Sequence, residues 1–120
     1  GAAKTVDRIV DVFPPYQQQQ IKVQLAAVMQ GIISQQLIPK ITEKGRVAAL
    51  EVMISTPAIQ NLIREGKTHQ LQSCVQTGGK YGMKTMDMSI SDLYKRSVIS
   101  KDDAITYSVD NEMMVRMLSL

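Results

Sequence analysis

The chain has 120 residues, of which 44% are apolar and none is tryptophan. This length suits one globular unit with its own hydrophobic core. The net charge of +3 arises from fourteen basic and eleven acidic residues that are scattered along the chain, so the sequence predicts no nucleic-acid partner. The single cysteine, Cys74, excludes an internal disulfide and a cysteine-based zinc site.

The cellular location is predicted from the same features. A lone cysteine is typical of a reducing cytosol. The sequence has neither a run of about eighteen apolar residues nor a signal peptide. We therefore expect a cytoplasmic protein without direct membrane insertion. The chain starts without Met and within a helical pattern, which suggests a piece of a longer protein.

Two helices are predicted before residue 31. The first spans 2–13, ends at Pro14 and Pro15, and has four apolar residues at helical spacing: Val6, Ile9, Val10 and Phe13. The second begins at Pro15 and runs to about Gln30, where Gly31 is expected to end it. Its predicted apolar stripe contains Ile21, Leu25, Ala26, Ala27 and Val28.

Two β-strands are predicted next, GIISQQLIP at 31–39 and GRVAALEVMIS at 45–55. In the second strand, alternation places one set of residues on one face and the other set on the opposite face. The two sets are Ala48, Leu50, Val52, Ile54 and Val47, Ala49, Glu51, Met53. The short polar connector KITEK, followed by Gly45, favours direct pairing as an antiparallel hairpin.

The chain from residue 56 onward has a helical pattern. Thr56 and Pro57 are typical of a helix start and Gly66 of a helix end, which predicts a helix over about 57–65. A helix over about 69–77 ends at Gly78 and Gly79. Three further helices are expected after the capping residues Thr85, Ser100 and Asp110. The sequence thus predicts an α+β, mainly helical fold with two N-terminal helices, an antiparallel β-hairpin and a C-terminal bundle of four to five short helices.

The GGKYG segment at 78–82 is not predicted to be a phosphate loop. That motif needs a Gly five residues before its Gly-Lys pair and a Ser or Thr after it, and Cys74 and Tyr81 occupy those positions. The segment also follows a predicted helix instead of a strand, so its amides are not arranged to point at a phosphate. We interpret it as a flexible loop between helices.

No other residue carries the signature of a catalytic or metal-binding group. His69 has no cluster of ligand residues near it, so we interpret it as a residue at a helix start. Glu51, on a mostly apolar strand, is either a buried functional acid or, more commonly, an edge or interface carboxylate that pairs with a basic residue. Cys74 is interpreted as a small core residue. We therefore expect no catalytic residue, metal or cofactor in this chain.

AIQNLIRE at 58–65 has an apolar half and a polar half. On a helix, Ile59, Leu62 and Ile63 share one face, whereas Gln60, Asn61 and Arg64 lie elsewhere. Core packing is sufficient to explain the apolar half. The residues by themselves assign no function to the polar half.

Several segments, in order, resemble the C-terminal region of PilT-like ATPases, the motors that retract type IV pili. They are AAKTVDRIVDVFPP, QLAAVMQGIISQQLIP, GRVAALEVMISTPAI and GGKYGMKTMD, and together they cover nearly the whole chain. AIQNLIRE resembles the family's AIRNLIRE element, which is associated with retraction, although Gln60 stands where the family usually has Arg. Related secretion ATPases often insert a Cys-rich zinc loop after the counterpart of QQLIP. This chain has KITEKG there, which favours the retraction branch.

The resemblance implies that the chain is the C-terminal part of a RecA-like, hexameric secretion ATPase. In that family the phosphate loop, the acidic metal-binding segments and the histidine-containing segment lie upstream of this sequence. The full-length protein would therefore bind ATP and Mg²⁺ and hydrolyse ATP, whereas this chain alone would not. Pilus retraction and twitching motility are the implied outputs. The implied location is the cytoplasmic side of the inner membrane, reached through the pilus machinery, with a membrane platform protein as a candidate partner.

The resemblance also suggests the roles of parts of the chain. Residues 1–55 would be the distal part of the RecA-like ATPase core, and residues 56–120 the C-terminal helical subdomain. The implied retraction motif is Ala58, Ile59, Asn61, Leu62, Ile63, Arg64 and Glu65, and the family-matching loop is Gly78, Gly79, Lys80, Tyr81, Gly82 and Met83. Both are expected to act mechanically or at an interface. The alternative hypothesis is a stand-alone helical adaptor domain of unrelated function, and an upstream phosphate loop in the open reading frame would distinguish the two.

Overall fold

A computed structural model describes residues 1–42 and 44–119. In this part of the chain the helices are α1 (Ala2–Asp11), α2 (Pro15–Val28), α3 (Pro57–Arg64), α4 (Leu71–Thr77), α5 (Met86–Lys95), α6 (Lys101–Tyr107) and α7 (Asn111–Leu118). The strands are β1 (Gly31–Pro39) and β2 (Arg46–Ile54), and short 3₁₀ turns lie at Thr68–Gln70 and Gly79–Tyr81. The predicted mainly helical α+β fold is confirmed. Glu43, in the predicted connector, and Leu120, in the last predicted helix, lie outside the described residues.

Four helices begin at the capping residues predicted from the sequence. In each case a side-chain oxygen accepts the backbone N–H three residues further on, which satisfies a donor that has no partner within the helix. The capping bonds are Thr56 with Ile59 at 3.3 Å, Thr85 with Met88 at 3.1 Å, Ser100 with Asp103 at 3.0 Å and Asp110 with Met113 at 3.0 Å. The starts of α3, α5, α6 and α7 are therefore fixed by local sequence.

The predicted hairpin is confirmed, including its two faces. β1 and β2 pair antiparallel, with Gly31 opposite Ile54 and Pro39 opposite Arg46. Ala49, Glu51 and Met53 are buried on the inner face, with Val47 half-buried beside them. The other face is open, and its residues on β2 are exposed or half-buried: Ala48, Leu50, Val52 and Ile54.

The N-terminal helices differ from the prediction at their ends and in their burial. α2 ends at Val28 because Met29 turns to ψ 133° after its N–H bonds the Leu25 carbonyl at 2.9 Å. Gly31 is therefore the first residue of β1 and not a helix stop. Of the predicted α2 stripe only Ala26 is fully buried, and Val28 is 73% exposed. Within the described residues, α2 packs along α1 and α3, which leaves its other side open.

Apart from Val10, the buried apolar residues form two clusters instead of one. The first cluster contains Ala2, Val6, Ala26, Met53, Ile59, Ile63, Leu71, Val75 and Met83. The second cluster contains Ile38, Ala49, Met86, Ile90, Leu93, Ile99, Ala104, Met114 and Leu118. The hairpin contributes to both, with Met53 in the first and Ala49 in the second. Both clusters thus use residues from either side of residue 55, and the division into 1–55 and 56–120 stays a prediction.

Candidate functional site

Helix α3 fixes the position of the AIQNLIRE segment at both of its ends. Thr56 caps its start, and Pro57 occupies the first helical position, where the missing N–H costs nothing. At the other end Gly66 has a φ of +74°, a conformation that favours glycine. The N–H of Lys67 donates to the carbonyl of Leu62 at 2.8 Å, which closes the last turn. The side chains of residues 58–65 therefore project from a helix whose boundaries are well defined.

The two faces of α3 differ sharply in exposure. Ile59 and Ile63 are fully buried in the first cluster, and Leu62 packs half-buried against it. Gln60, the position of the family Arg, is half-buried. The exposed residues form what we call the α3 polar face: Ala58, Asn61, Arg64 and Glu65. The structure therefore separates the seven predicted motif residues into three that support the fold and four that face solvent.

Arg64 is held in place on this polar face by its neighbours. Its Nη1 donates to Oδ1 of Asn61 at 2.7 Å, one turn earlier on the same helix. Gln19 of α2 donates from Nε2 to the Arg64 carbonyl at 3.3 Å, and Glu65 pairs with Lys67 at 3.2 Å. Exposed pairs of this kind contribute at most about 1 kcal/mol. The polar face is thus ordered, but the fold does not depend on it.

The loop Gly78–Met83 is anchored at both ends. Gly78 is buried, and a Cβ atom there would lie 2.9 Å from the carbonyl oxygen of Cys74. Met83 is buried in the first cluster, together with Ile59 and Ile63 of α3. The next residue, Lys84, exchanges backbone hydrogen bonds with Val52 of β2 at 2.9 and 3.0 Å.

The exposed tip of this loop consists of Gly79, Lys80, Tyr81 and Gly82. The Lys80 ammonium lies 5.0 Å from the centroid of the Tyr81 ring, within the range of a cation–π contact. Gly82 adopts a φ of +86°. Because the loop joins α4 to α5 and no strand leads into it, its geometry differs from that of a phosphate loop. The sequence-based interpretation as a loop between helices is confirmed, and its flexibility stays a prediction.

A small cavity lies between α4, α5 and α7, which sequence reasoning did not anticipate. Its volume is about 270 Å³, and Met88, Met113 and Met117 line it together with Asp87 and Asp110. Both oxygens of Asp87 are engaged, since they accept the N–H groups of Val109 at 2.8 Å and Asp110 at 3.0 Å. The lining contains carboxylates and no lysine or arginine, so this cavity is unsuited to a phosphate group.

The remaining sequence candidates fall in separate places. His69 is exposed in the 3₁₀ turn before α4, and Cys74 packs half-buried against the first cluster. Among residues 1–42 and 44–119 no group of three His, Cys, Asp or Glu could hold a metal ion. Within the same residues no helix is long and apolar enough to cross a membrane.

Glu51 is the exception among these candidates, because the structure gives it unexpected partners. Its side chain is 3% exposed on the inner face of β2. Oε1 accepts the N–H of Ala2 at 2.6 Å, and Oε2 accepts the N–H of Met86 at 3.3 Å. The expectation that it pairs with a basic residue at an edge is therefore wrong. Nothing in the sequence pattern indicates these contacts, since the partners are 49 and 35 residues away.

The chain resembles proteins of the pilus machinery along most of its length. It is 52% identical over 104 residues to the type IV pilus retraction ATPase PilT of Pseudomonas aeruginosa, a match that covers 87% of this chain and 30% of that protein. It is 43% identical over 114 residues to the twitching motility protein of Neisseria gonorrhoeae, which covers 95% of this chain and 30% of that protein. No protein-family model matches the chain.

A solved structure supports the same relationship. A crystal structure of the pilus retraction motor PilT with bound ADP matches with a TM-score of 0.84 and 43% identity, over 96% of this chain and 32% of that chain. The chain thus spans about 30% of the length of the relatives it matches. These matches do not support the hypothesis of an unrelated adaptor domain. The chain is therefore homologous to the C-terminal part of the PilT pilus retraction ATPases.

Proposed function

We propose that this chain is the C-terminal part of a PilT-like motor ATPase that powers type IV pilus retraction, and that its role is mechanical. The homology to PilT at 52% identity is the observation that supports this proposal. In the longer protein, ATP and Mg²⁺ would bind to segments that this chain does not contain. The related PilT structure contains ADP, which fits a nucleotide-binding parent protein. The parent would assemble as a hexamer in the cytoplasm, at the inner face of the membrane.

The α3 polar face is the part of the chain that we assign to motor output. A fully buried residue cannot contact another protein, so we assign the contact to the exposed residues Ala58, Asn61, Arg64 and Glu65. Arg64 is the strongest candidate, because its guanidinium has five N–H donors and a fixed plane. The bond to Asn61 at 2.7 Å orients that plane without burying it. A carboxylate on the partner, such as the membrane platform protein of the pilus, would complement it.

Two other assignments support this role. The loop Gly78–Met83 would support the buried face of α3, since Met83 packs in the same cluster as Ile59 and Ile63. Residues 1–55 would form the distal part of the RecA-like core, and residues 56–120 the C-terminal helical subdomain. Motion of the core would then reach the polar face through the first cluster, which contains residues from both parts.

The experiment is to replace Arg64 with Ala in the full-length native protein and to measure pilus retraction and twitching in cells. Retraction should be abolished, because the guanidinium that contacts the partner is removed. The melting temperature should hardly change, since exposed substitutions usually alter stability by about 0.5 kcal/mol or less. ATPase activity of the purified protein should persist.

Arg116→Ala is the matched control, because Arg116 is also exposed near the end of a short helix, α7. Cells with this variant should retract pili normally. Normal retraction in Arg64→Ala cells would contradict the assignment of the α3 polar face. Loss of retraction in both variants would show that the effect is not specific to this face.

A further inference from the structure

Glu51 lies between the two hydrophobic clusters of the molecule. On the inner face of β2 its neighbours two residues away are Ala49, in the second cluster, and Met53, in the first. An ionisable side chain that is 3% exposed is costly to bury unless hydrogen bonds replace its hydration. The carboxylate thus occupies the boundary between the clusters, and its partners determine what it does there.

The partners are the first amides of two helices. Ala2 begins α1, whose Ala2 and Val6 belong to the first cluster, and Met86 begins α5, whose Met86 and Ile90 belong to the second. Amides in the first turn of a helix have no partner within the helix and carry partial positive charge. A carboxylate is well suited to accept from them. One oxygen serves each helix, at 2.6 Å for Ala2 and 3.3 Å for Met86.

The two helices depend on this carboxylate to different degrees. In the described residues Gly1 makes no side-chain hydrogen bond to α1, and Glu51 accepts the N–H of Ala2. α5 is already capped by Thr85, and Glu51 adds a second acceptor to it. No basic side chain pairs with Glu51 in residues 1–42 and 44–119. Both of its oxygens are therefore used to hold one helix of each cluster.

We propose that Glu51 is a positioning residue that joins the two clusters into one cooperative unit. The hairpin connects them through the backbone, and the Glu51 carboxylate fixes the start of α1 relative to the start of α5. A displacement of α1 would strain the bond to Oε1 and move the same carboxylate that holds α5. This inference goes beyond the retraction proposal, and its test needs only the chain itself.

The test is hydrogen exchange, followed by NMR, on wild type and on Glu51→Gln. Gln keeps one acceptor oxygen and replaces the other with an NH₂ donor, so with one amide at each position it can accept only one of the two. Into each background we would introduce Ile59→Val, which weakens the first cluster. The protection of α3 amides reports on the first cluster, and that of α5 amides on the second.

In the wild-type background, Ile59→Val should lower protection in α3 and α5 by the same factor, roughly 2- to 10-fold, because the clusters open together. In the Glu51→Gln background, α3 should lose protection by that factor and α5 should be unchanged. Equal losses in both helices of the Glu51→Gln protein would overturn the proposal. So would unequal losses in the wild-type background.

Two further variants keep the test decisive. Glu65→Gln makes the same chemical change at an exposed position and should behave as wild type. Ala2→Pro removes the N–H that donates to Oε1, at a first helical position where Pro is tolerated, and its ring carbon takes the place of that hydrogen and pushes the carboxylate away from α1. In this variant, too, Ile59→Val should lower the protection of α3 amides and leave that of α5 amides unchanged. The variant therefore provides the test if Glu51→Gln folds poorly. Retained coupling in Ala2→Pro would overturn the role of the Ala2 bond.

Discussion

Helix α3 and the hairpin distribute their apolar side chains in different ways. In α3, Ile59 and Ile63 are buried and the opposite face is polar. In the hairpin both faces are apolar: Met53 is buried on the inner face, whereas on the open face Leu50 is 37% and Ile33 is 70% exposed. Apolar residues on both faces are typical of strands in sheets that are covered on both sides. α3 thus has one buried face and one polar face, whereas one apolar face of the hairpin is left largely exposed by residues 1–42 and 44–119.

The largest expected contrast is in stability. Ile63→Ala should lower the free energy of unfolding by about 2 to 5 kcal/mol, because it leaves a cavity in the first cluster. Ile33→Ala, on the open face of the hairpin, should change it by about 0.5 kcal/mol or less. Urea denaturation of both variants measures the difference. Equal losses of unfolding free energy would mean that the open face is packed in solution. The contrast between α3 and the hairpin would then be wrong.

A smaller effect is expected at the start of α3. Thr56→Ala removes the acceptor for the Ile59 N–H and should cost about 1 kcal/mol. Thr106→Ala is the control, since Thr106 is exposed within α6 and caps no helix. It should cost nothing, because Ala favours a helix more than Thr does. Thermal denaturation of the two variants measures the difference in stability. A loss of stability in Thr106→Ala as large as in Thr56→Ala would show that the loss does not come from the cap.

The open face of the hairpin should affect association more than stability. Exposed apolar faces and strand edges tend to pair with another chain. The isolated chain should therefore self-associate, and Ile33→Lys should shift it toward monomer in analytical ultracentrifugation. Val115→Lys, which replaces an exposed apolar residue of α7, should not. A strictly monomeric wild-type chain at all concentrations would show that the hairpin needs no cover.

The smallest expected effect is with nucleotide. Neither α3 nor the hairpin provides a loop of amides for phosphate, and the GGKYG segment joins two helices. Calorimetric titration of the isolated chain with Mg-ATP should therefore give no binding heat and no phosphate release. Micromolar binding with turnover would place a nucleotide site within this chain. That result would contradict the proposal that ATP binds only to segments outside it.

Much of the fold could be predicted because its signals are local. Thr56, Thr85, Ser100 and Asp110 cap their own helices through bonds that span three residues, so sequence spacing is sufficient to find them. The two faces of β2 follow in the same way from the alternation of its side chains along the strand.

The features that could not be predicted depend on contacts between distant residues. Glu51 is brought to Ala2 and Met86, 49 and 35 residues away, only by the fold as a whole. The burial of the predicted α2 stripe was wrong, because helical periodicity shows which residues share a face but not whether another element covers that face. The ordered state of Arg64 was also beyond prediction, since it depends on the side-chain rotamers of Arg64 and Asn61 as well as on their spacing. The resemblance supplied the candidate site, and the structure divided it into supporting and exposed residues.

The backbone bridge between Lys84 and Val52 determines how the sheet can grow. Lys84 occupies the outer edge of β2 at Val52, and Ser89 accepts the N–H of Leu50 on the same edge at 3.0 Å. A further strand cannot join there without displacing the start of α5. Since Ile33 lies opposite Val52, the alternation of the antiparallel ladder turns the N–H and C=O groups of Ile33 outward, together with those of Gln35 and Leu37. Any enlargement of this sheet must therefore proceed in one direction only, by addition to β1.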